Sequence, residues 1–413
     1  MKLTRPDGAH LTYCTNIHPG EEWAEVRANL LEYVVPVRKR VAPGVPFGLG
    51  LRLSGRAAEA LGEPAALEEL RGILEEHDLY VFTINGFPYG TFHGKPVKEA
   101  VYSPDWLEPE RVRYTNQLAD ILAALLPGGL NGTISTVPGA FAPRIAYEAD
   151  AAAVASAMAS HVAKLVRLRR ETGRHISLAI EPEPCCQLET IDQTVDFFER
   201  HLFGAAGKSA LRRETGMSES EAESALREHV GVCYDICHMA VEFEDPARAI
   251  TKLRASGIRI PKVQVSAGLR VVFDGDNAAR FNALKAFAED VYLHQVVELR
   301  RNGDIRRYVD LPDALDAAAK EPTAPAEWRI HFHVPLFHRD FGHFESTQAH
   351  VAEALGVLRG TECRHYEVET YTWHVLPPEL RSVGIVEAVS RELEWTAARL
   401  AESGADQPGD DSR

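Results

Sequence analysis

Residues 230–239 read VGVCYDICHM, a short apolar run that closes on Asp235 and, three residues later, His238. A run of this length fits a buried strand, and one that ends so delivers a carboxylate and an imidazole to the same place. Three further runs end in polar residues of the same kind: HISLAIEPE at 175–183, IPKVQVS at 260–266 and HYEVETYT at 365–372. Working outward, strand patterns recur at 11–16, 47–53, 80–84, 132–137 and, as RIHFHVPL, at 329–336. Between them lie helical patterns at about 21–41, 65–76, 108–126, 147–172, 191–202, 246–255, 280–290, 348–358 and 384–401, and an insertion at 218–228 that opens with Ser218 and Glu221 in capping-box register.

Strands alternating with helices imply parallel strands joined by right-handed crossovers, and nine such units exceed what most open sheets hold. The expected fold is therefore α/β, a closed (β/α)8 TIM barrel over residues 1–402, with one of the nine strands surplus and 329–336 the first choice. A doubly wound sheet is the runner-up, weakened by the absence of a GxGxxG turn after the first strand. Three stretches break the rhythm. Residues 85–106, rich in Gly, Pro and aromatics, are too long for a simple connection and read as a lid. Residues 292–311 alternate on both sides of Asn302 and Gly303 and read as an inserted β-hairpin, a candidate homodimer contact. Residues 403–413 read as a disordered tail.

The 413 residues carry 45 Lys and Arg against 60 Asp and Glu, a net charge of −15, with no basic stripe. That balance argues against nucleic acid and against an anionic membrane surface as partners. No signal-peptide h-region and no run of about 18 apolar residues is present, so no membrane insertion is expected and the cytoplasm is the default location. The six cysteines, Cys14, Cys185, Cys186, Cys233, Cys237 and Cys363, lack CxxC spacing and read as reduced core thiols. Cys233 and Cys237 flank Asp235 and, by the period of two, should face the same way as it does.

The converging strand ends offer Glu181, Asp235, Gln264 and Glu369, with His238 and Arg270 close by in sequence. Taken singly, a strand-end carboxylate is more often a helix N-cap or a loop ion pair. Buried together, three carboxylates would repel one another unless protonated or paired, and a hard divalent cation resolves that conflict. Oxygen donors suit Mn²⁺ or Mg²⁺, with Zn²⁺ behind them. Glu183 and Glu367 compete for the inward positions, since each lies two residues from a proposed ligand. His331 and His333 suggest a further inward-facing pair.

These strand ends resemble those of the xylose-isomerase-like TIM barrels, in which a Glu, a D-x-x-H-M, a His or Gln and a final Glu come from successive strands. The matching residues are Glu181 in IEPEP, Asp235 and His238 in DICHM, Gln264 in KVQVS and Glu369 in VETYTW. The resemblance implies a metal held by Glu181, Asp235, Gln264 and Glu369; His333 is the alternative for the third ligand should Gln264 not bind. It also implies Arg270 as a substrate contact. Gln187 stands where the epimerases place a second Glu, so hydroxyl contacts would differ. Over longer stretches, LTYCTNIHPGEEW, INGFPYGTFHGKPVKEAVYSPDW and YDICHMAVEFEDP, the chain is similar to the bacterial EboE family of metabolite-traffic proteins. Asn16, His18 and His93 fall in these stretches and are candidate substrate contacts.

What the resemblance implies is isomerase or epimerase chemistry on a small polyhydroxylated metabolite, beside pathway partner proteins in a small-molecule export or biosynthesis route. A metal bridging a carbonyl and a neighbouring hydroxyl would acidify the C–H between them, Glu181 and Glu369 would move the proton on opposite faces, and His238 would donate to the substrate oxygen. Two alternatives stand beside it: a binding or carrier protein that uses the same pocket without turnover and, less favoured, a phosphodiesterase like the superfamily's DNA-repair endonucleases.

Overall fold

In the computed structural model, residues 1–3, 8–275, 277–320, 325–381 and 383–401 are described; the expected tail lies outside them. Eight parallel strands form the central sheet. They are β1 (His10–Tyr13), β2 (Phe47–Arg52), β3 (Leu79–Asn85), β4 (Gly132–Thr136), β5 (Ile176–Ile180), β6 (Val230–Asp235) and β7 (Arg259–Val265), with the eighth at His365–Val368. The eighth pairs with β7 on one side and β1 on the other, and a parallel bridge from Cys14 to Gly50 joins the β1 and β2 edges. The sheet thus closes on itself, as the alternation of strands and helices requires.

The surplus strand finds its place in a second, antiparallel sheet. After β7, only Ser266 intervenes before β8 (Ala267–Val272), which pairs antiparallel with β11 (Glu327–Val334). β11 pairs in turn with β9 (Val296–Leu299), and β9 with β10 (Ile305–Tyr308) through a turn at Asn302 and Gly303. A short β12 (Glu345–Ser346) completes the sheet, and the barrel's eighth strand is accordingly β13. The inserted hairpin therefore supplies two strands of a five-stranded layer. β8 and the helices Gly55–Leu61 and Ala205–Thr215 went unread in the sequence. The strand β6 stops at Asp235, so Cys237 lies in a helical turn and the period of two does not carry to it.

The upper barrel interior is polar where branched aliphatic layers usually fill such barrels. Lys262 and Glu367, both fully buried, form an ion pair at 2.6 Å, and Lys262 Nζ also lies 3.1 Å from Ser135 Oγ. Room for Glu367 comes from Gly50: a Cβ there would stand 1.9 Å from Glu367 Oε1 and 2.7 Å from the Tyr13 carbonyl. Among the described residues no helix is long and apolar enough to cross a membrane. The six cysteines are free thiols.

Candidate active site

Asp235 ends β6 and caps the helix Ile236–Val241. Its Oδ1 accepts from the His238 backbone N–H at 3.0 Å and from Ser266 Oγ at 2.8 Å, while Oδ2 is buried without a partner. Capping and ligation are compatible here because they use different oxygens. Glu181 sits one residue past β5 with a buried, unpartnered Oε2. Gln264, aligned with Asp235 on one side and Glu367 on the other, has neither side-chain atom hydrogen-bonded. Glu369 follows β13, and its Oε1 accepts from Asn16 Nδ2 at 2.7 Å and from Asn85 Nδ2 at 3.0 Å. Glu181, Asp235 and Glu369 each bring an oxygen to within 4.8 Å of the other two.

Burial pushes the Glu181 carboxyl well above the ordinary range, and the charges of Glu369 and Asp235 push it further; Lys262 opposes them. Glu369 is raised by burial and then by Asp235 and Glu367, against Lys262 and the Asn16 amide. A cluster so arranged holds its protons unless positive charge enters it. Three unpartnered oxygens, Glu181 Oε2, Asp235 Oδ2 and Gln264 Oε1, together with the remaining oxygen of Glu369, fit a hard divalent cation. These are the donors such an ion would use.

Above the cluster lies a cavity of about 50 Å³, lined by Asn16, Glu181, Glu183, His238, His331, Glu369 and Tyr371 and roofed by Phe87, Phe92 and Tyr102 from residues 85–106. Small-molecule sites commonly hold roughly 300 Å³ or more, so a sugar-sized ligand enters only when this roof moves. A cavity of about 1040 Å³ opens at the opposite end, around His10, Gly132, Arg259 and His365 at the strand starts. It holds none of the acidic cluster, and barrel chemistry belongs to the C-terminal face.

Other expected contacts fall elsewhere. Arg270 lies on β8, where its guanidinium is taken by Glu327 at 2.9 and 2.8 Å and Glu345 at 2.6 Å; the strand that follows β7 turns away from the mouth and carries Arg270 with it. His18 stacks on Tyr33, faces Tyr13 OH at 3.0 Å, and is held down to about 3 by burial. Gln187 packs on Gly139 and does not line the cavity. His93 pins the roof, with Nε2 2.6 Å from the Asn16 carbonyl and Nδ1 2.7 Å from Tyr292 OH. His238 lines the cavity, with its Nδ1 2.8 Å from the Pro182 carbonyl and its Nε2 3.1 Å from His331 Nε2. His333 Nδ1 lies 2.8 Å from the Glu369 carbonyl.

Asn85, Tyr102 and Gln295 join the site without having been expected there. Tyr102 OH donates to Glu183 Oε1 at 2.8 Å and accepts from Gln295 Nε2 at 2.8 Å. Asn85 was legible as the last polar residue of a strand, and Tyr102 as an aromatic of the roof; Gln295 lies in the second sheet's connection and carried no signal.

The fold is a (β/α)8 TIM barrel. The chain is similar to a xylose isomerase-like TIM barrel protein from Mycobacterium smegmatis in complex with magnesium, at 12% identity over 95% of this chain and 96% of that one, with a TM-score of 0.49. It is similar too to the probable 3-DHS dehydratase AsbF of Bacillus anthracis (13%, 93% and 97%, 0.46) and to IOLI protein with a binding zinc atom (12%, 95% and 97%, 0.44). Epimerases of L-ribulose and D-allulose are among the other matched structures. No protein-family model and no curated protein matches the chain.

Proposed function

We propose that this protein is a metal-dependent isomerase or epimerase of a small polyhydroxylated carbonyl compound, moving a proton at the carbon beside the carbonyl. The observation that carries the reading is the meeting of Glu181, Asp235 and Glu369, buried and from three separate strand ends, with donor atoms of Glu181, Asp235 and Gln264 left unpartnered. Glu181, Asp235, Gln264 and Glu369 would hold Mn²⁺ or Mg²⁺, which when bound would polarise a carbonyl and a neighbouring hydroxyl.

Glu181 and Glu369 reach the cavity from β5 and β13, so a substrate carbon between them meets a carboxylate on each side. One takes the proton and the other returns it; Asn16 and Asn85 orient Glu369 by donating to its Oε1. Desolvation raises both carboxyls above the ordinary range, and a bound cation would pull them back down. The roof of 85–106 keeps bulk water from the carbanionic stage. The likeness of three stretches to EboE proteins supports placing this chemistry in a small-molecule export or biosynthesis route.

The test is solvent-deuterium incorporation at carbon into a panel of ketoses, aldoses and cyclitol ketones by the Mn²⁺-loaded protein, beside Glu369→Ala. Incorporation lost in the variant supports the reading. Binding of a panel compound without incorporation would assign the pocket to a carrier, and full incorporation by Glu369→Ala would exclude the proton transfer.

A further inference from the structure

The cavity at the strand starts is far larger than the one above the acidic cluster, about 1040 Å³ against about 50 Å³. Close-packed interiors leave few voids bigger than a water molecule, and small-molecule pockets run from roughly 300 to 1,000 Å³. An opening of this size has the dimensions of a ligand site.

Rings form one side of it. His10 from β1, Tyr80 from β3 and His365 from β13 line the cavity, with His10 edge-on to Tyr80 at 5.6 Å between centroids and to His365 at 6.3 Å. Phe82 backs both imidazoles, 5.3 Å from His10 and 4.8 Å from His365. Each imidazole is anchored by one nitrogen: His10 Nδ1 lies 2.7 Å from Tyr80 OH, and His365 Nδ1 lies 3.0 Å from Thr133 Oγ1. Buried Ile260 and half-exposed Val45 add apolar wall. Fixed rings and aliphatic walls suit the flat or apolar body of a ligand.

The charges around the cavity are one-sided. Lys2, Arg259 and Arg364 line it, and among the described residues Glu362 is the sole carboxylate that does, on a chain whose net charge is −15. Arg259 donates from Nη1 to the Glu228 carbonyl at 2.7 Å, and Arg364 donates from Nη1 to the carbonyls of Thr361 and Cys363 at 2.9 and 2.8 Å. Those bonds go to neutral oxygens, so they fix the guanidinium groups without cancelling their charge. The Glu228 carboxylate itself is taken by Arg169. Burial first, then the charges of the N-terminus and Lys2, holds the His10 imidazole down to about 4; burial first, then His10 and Lys262, holds His365 down to about 3. Both rings are therefore neutral near pH 7, and the positive field comes from the lysine and the arginines.

We infer a second ligand site at the N-terminal end of the barrel, one that takes an amphipathic anion: a flat or apolar body against His10, Tyr80 and His365, and an acidic head towards Arg259 and Arg364. Guanidinium groups are the side chains best shaped to meet a carboxylate, sulfonate or phosphate head. The site lies at the end of the barrel opposite Glu181, Asp235 and Glu369, and it needs neither the metal nor the proton transfer proposed there.

The probe is anilinonaphthalene sulfonate, a fluorescent ring system with one anionic head, set against N-phenylnaphthylamine, the same body without the charge. Both are titrated by fluorescence into the full chain, with stoichiometry from calorimetry, for wild type, Arg259→Gln, Val45→Glu and Glu369→Gln, each checked for folding by circular dichroism. Val45 is 51% exposed, so its replacement sets a negative charge at the cavity without disturbing the core. The expected result is one equivalent of sulfonate in wild type, bound more tightly than the neutral probe. Arg259→Gln should weaken it by about tenfold or more, Val45→Glu should weaken it too, and Glu369→Gln should leave it unchanged. Equal affinity for the two probes overturns the acidic head. No saturable binding, or binding that Arg259→Gln and Val45→Glu leave unchanged, overturns the site. Loss of binding in Glu369→Gln puts the probe in the upper cavity and overturns it as well. None of these results bears on whether Glu181 and Glu369 move a proton. If Arg259→Gln misfolds, Val45→Glu decides.

Discussion

Asn16 Nδ2 lies 2.7 Å from Glu369 Oε1, so an amide just past the first barrel strand holds one oxygen of a carboxylate just past the last. β1 and β13 are neighbours in the closed sheet, and closure is what brings residues 353 positions apart into contact. Asn85, from β3, adds a second donor at 3.0 Å to the same oxygen.

Removing either amide should weaken metal binding through Glu369. Hydrogen-bond partners of metal ligands are typically worth about 10–100-fold in affinity or activity, and the Asn16 amide and Lys262 both oppose the effect of burial on Glu369. Asn85→Ala is expected to weaken Mn²⁺ binding by about tenfold or more in a titration followed by electron paramagnetic resonance. Asn16→Asp, which replaces a donor with a like charge, should weaken it further. Unchanged affinity in both would detach Glu369 from the metal.

The buried Lys262–Glu367 pair supports the same cluster from below. Breaking such a pair by removing one partner commonly costs about 3–5 kcal/mol, because the other charge is left uncompensated, whereas replacing both with apolar residues is far milder. Lys262→Met should lower the urea midpoint by that order, and Lys262→Met with Glu367→Leu should recover most of it. A single variant as stable as wild type would show that the ion pair contributes nothing to stability.

Two glycines should respond in opposite directions to alanine. At Gly50 the new methyl would meet Glu367 Oε1 at 1.9 Å and the β1 backbone at 2.7 Å, and the backbone cannot yield cheaply; overpacking of this kind costs about 1–3 kcal/mol. Gly72, inside the helix Pro64–Glu76, has nothing within 4 Å of the added carbon. There alanine should stabilise by about 0.5–1 kcal/mol through helix propensity and a less flexible unfolded chain. Thermal melts of the two variants against wild type check both signs.

The site's acidic half was legible because strand ends are read from local pattern. Glu181, Asp235, Gln264 and Glu369 each close an apolar run, and the period of two also brought in Glu367, one step deeper on the face of Glu369, whereas its partner Lys262 went unread. The second sheet was not legible to the same degree. β8 begins one residue after β7, and its partner β11 lies about sixty positions on; nothing within AGLRVV announces a strand that leaves the barrel. That is why Arg270 was expected at the mouth and is instead bound by Glu327 and Glu345. It is also why His331 and His333, visible as an alternating pair, could not be placed against His238 before the sheet was known.

The last prediction concerns Glu392, buried on the helix Ile385–Ala401, whose Oε1 accepts from Thr370 Oγ1 at 2.7 Å and from the Leu336 N–H at 3.1 Å. It ties the ends of β13 and β11 to the outer helix. Burial lifts its carboxyl from 4.5 to about 7, against the pull of those two hydrogen bonds. Between these values the folded chain keeps a proton that the unfolded chain releases, so the contribution to stability is complete below about pH 4.5 and is lost as the pH rises through 7. The full swing is at most about 3 kcal/mol. Glu392→Gln retains a carbonyl acceptor for both donors and resembles the protonated acid, so it should gain on wild type as the pH goes from 5 to 8. Urea unfolding of the two proteins at both pH values checks this: a stability difference that does not change with pH would show that Glu392 titrates in the folded chain as it does in the unfolded one.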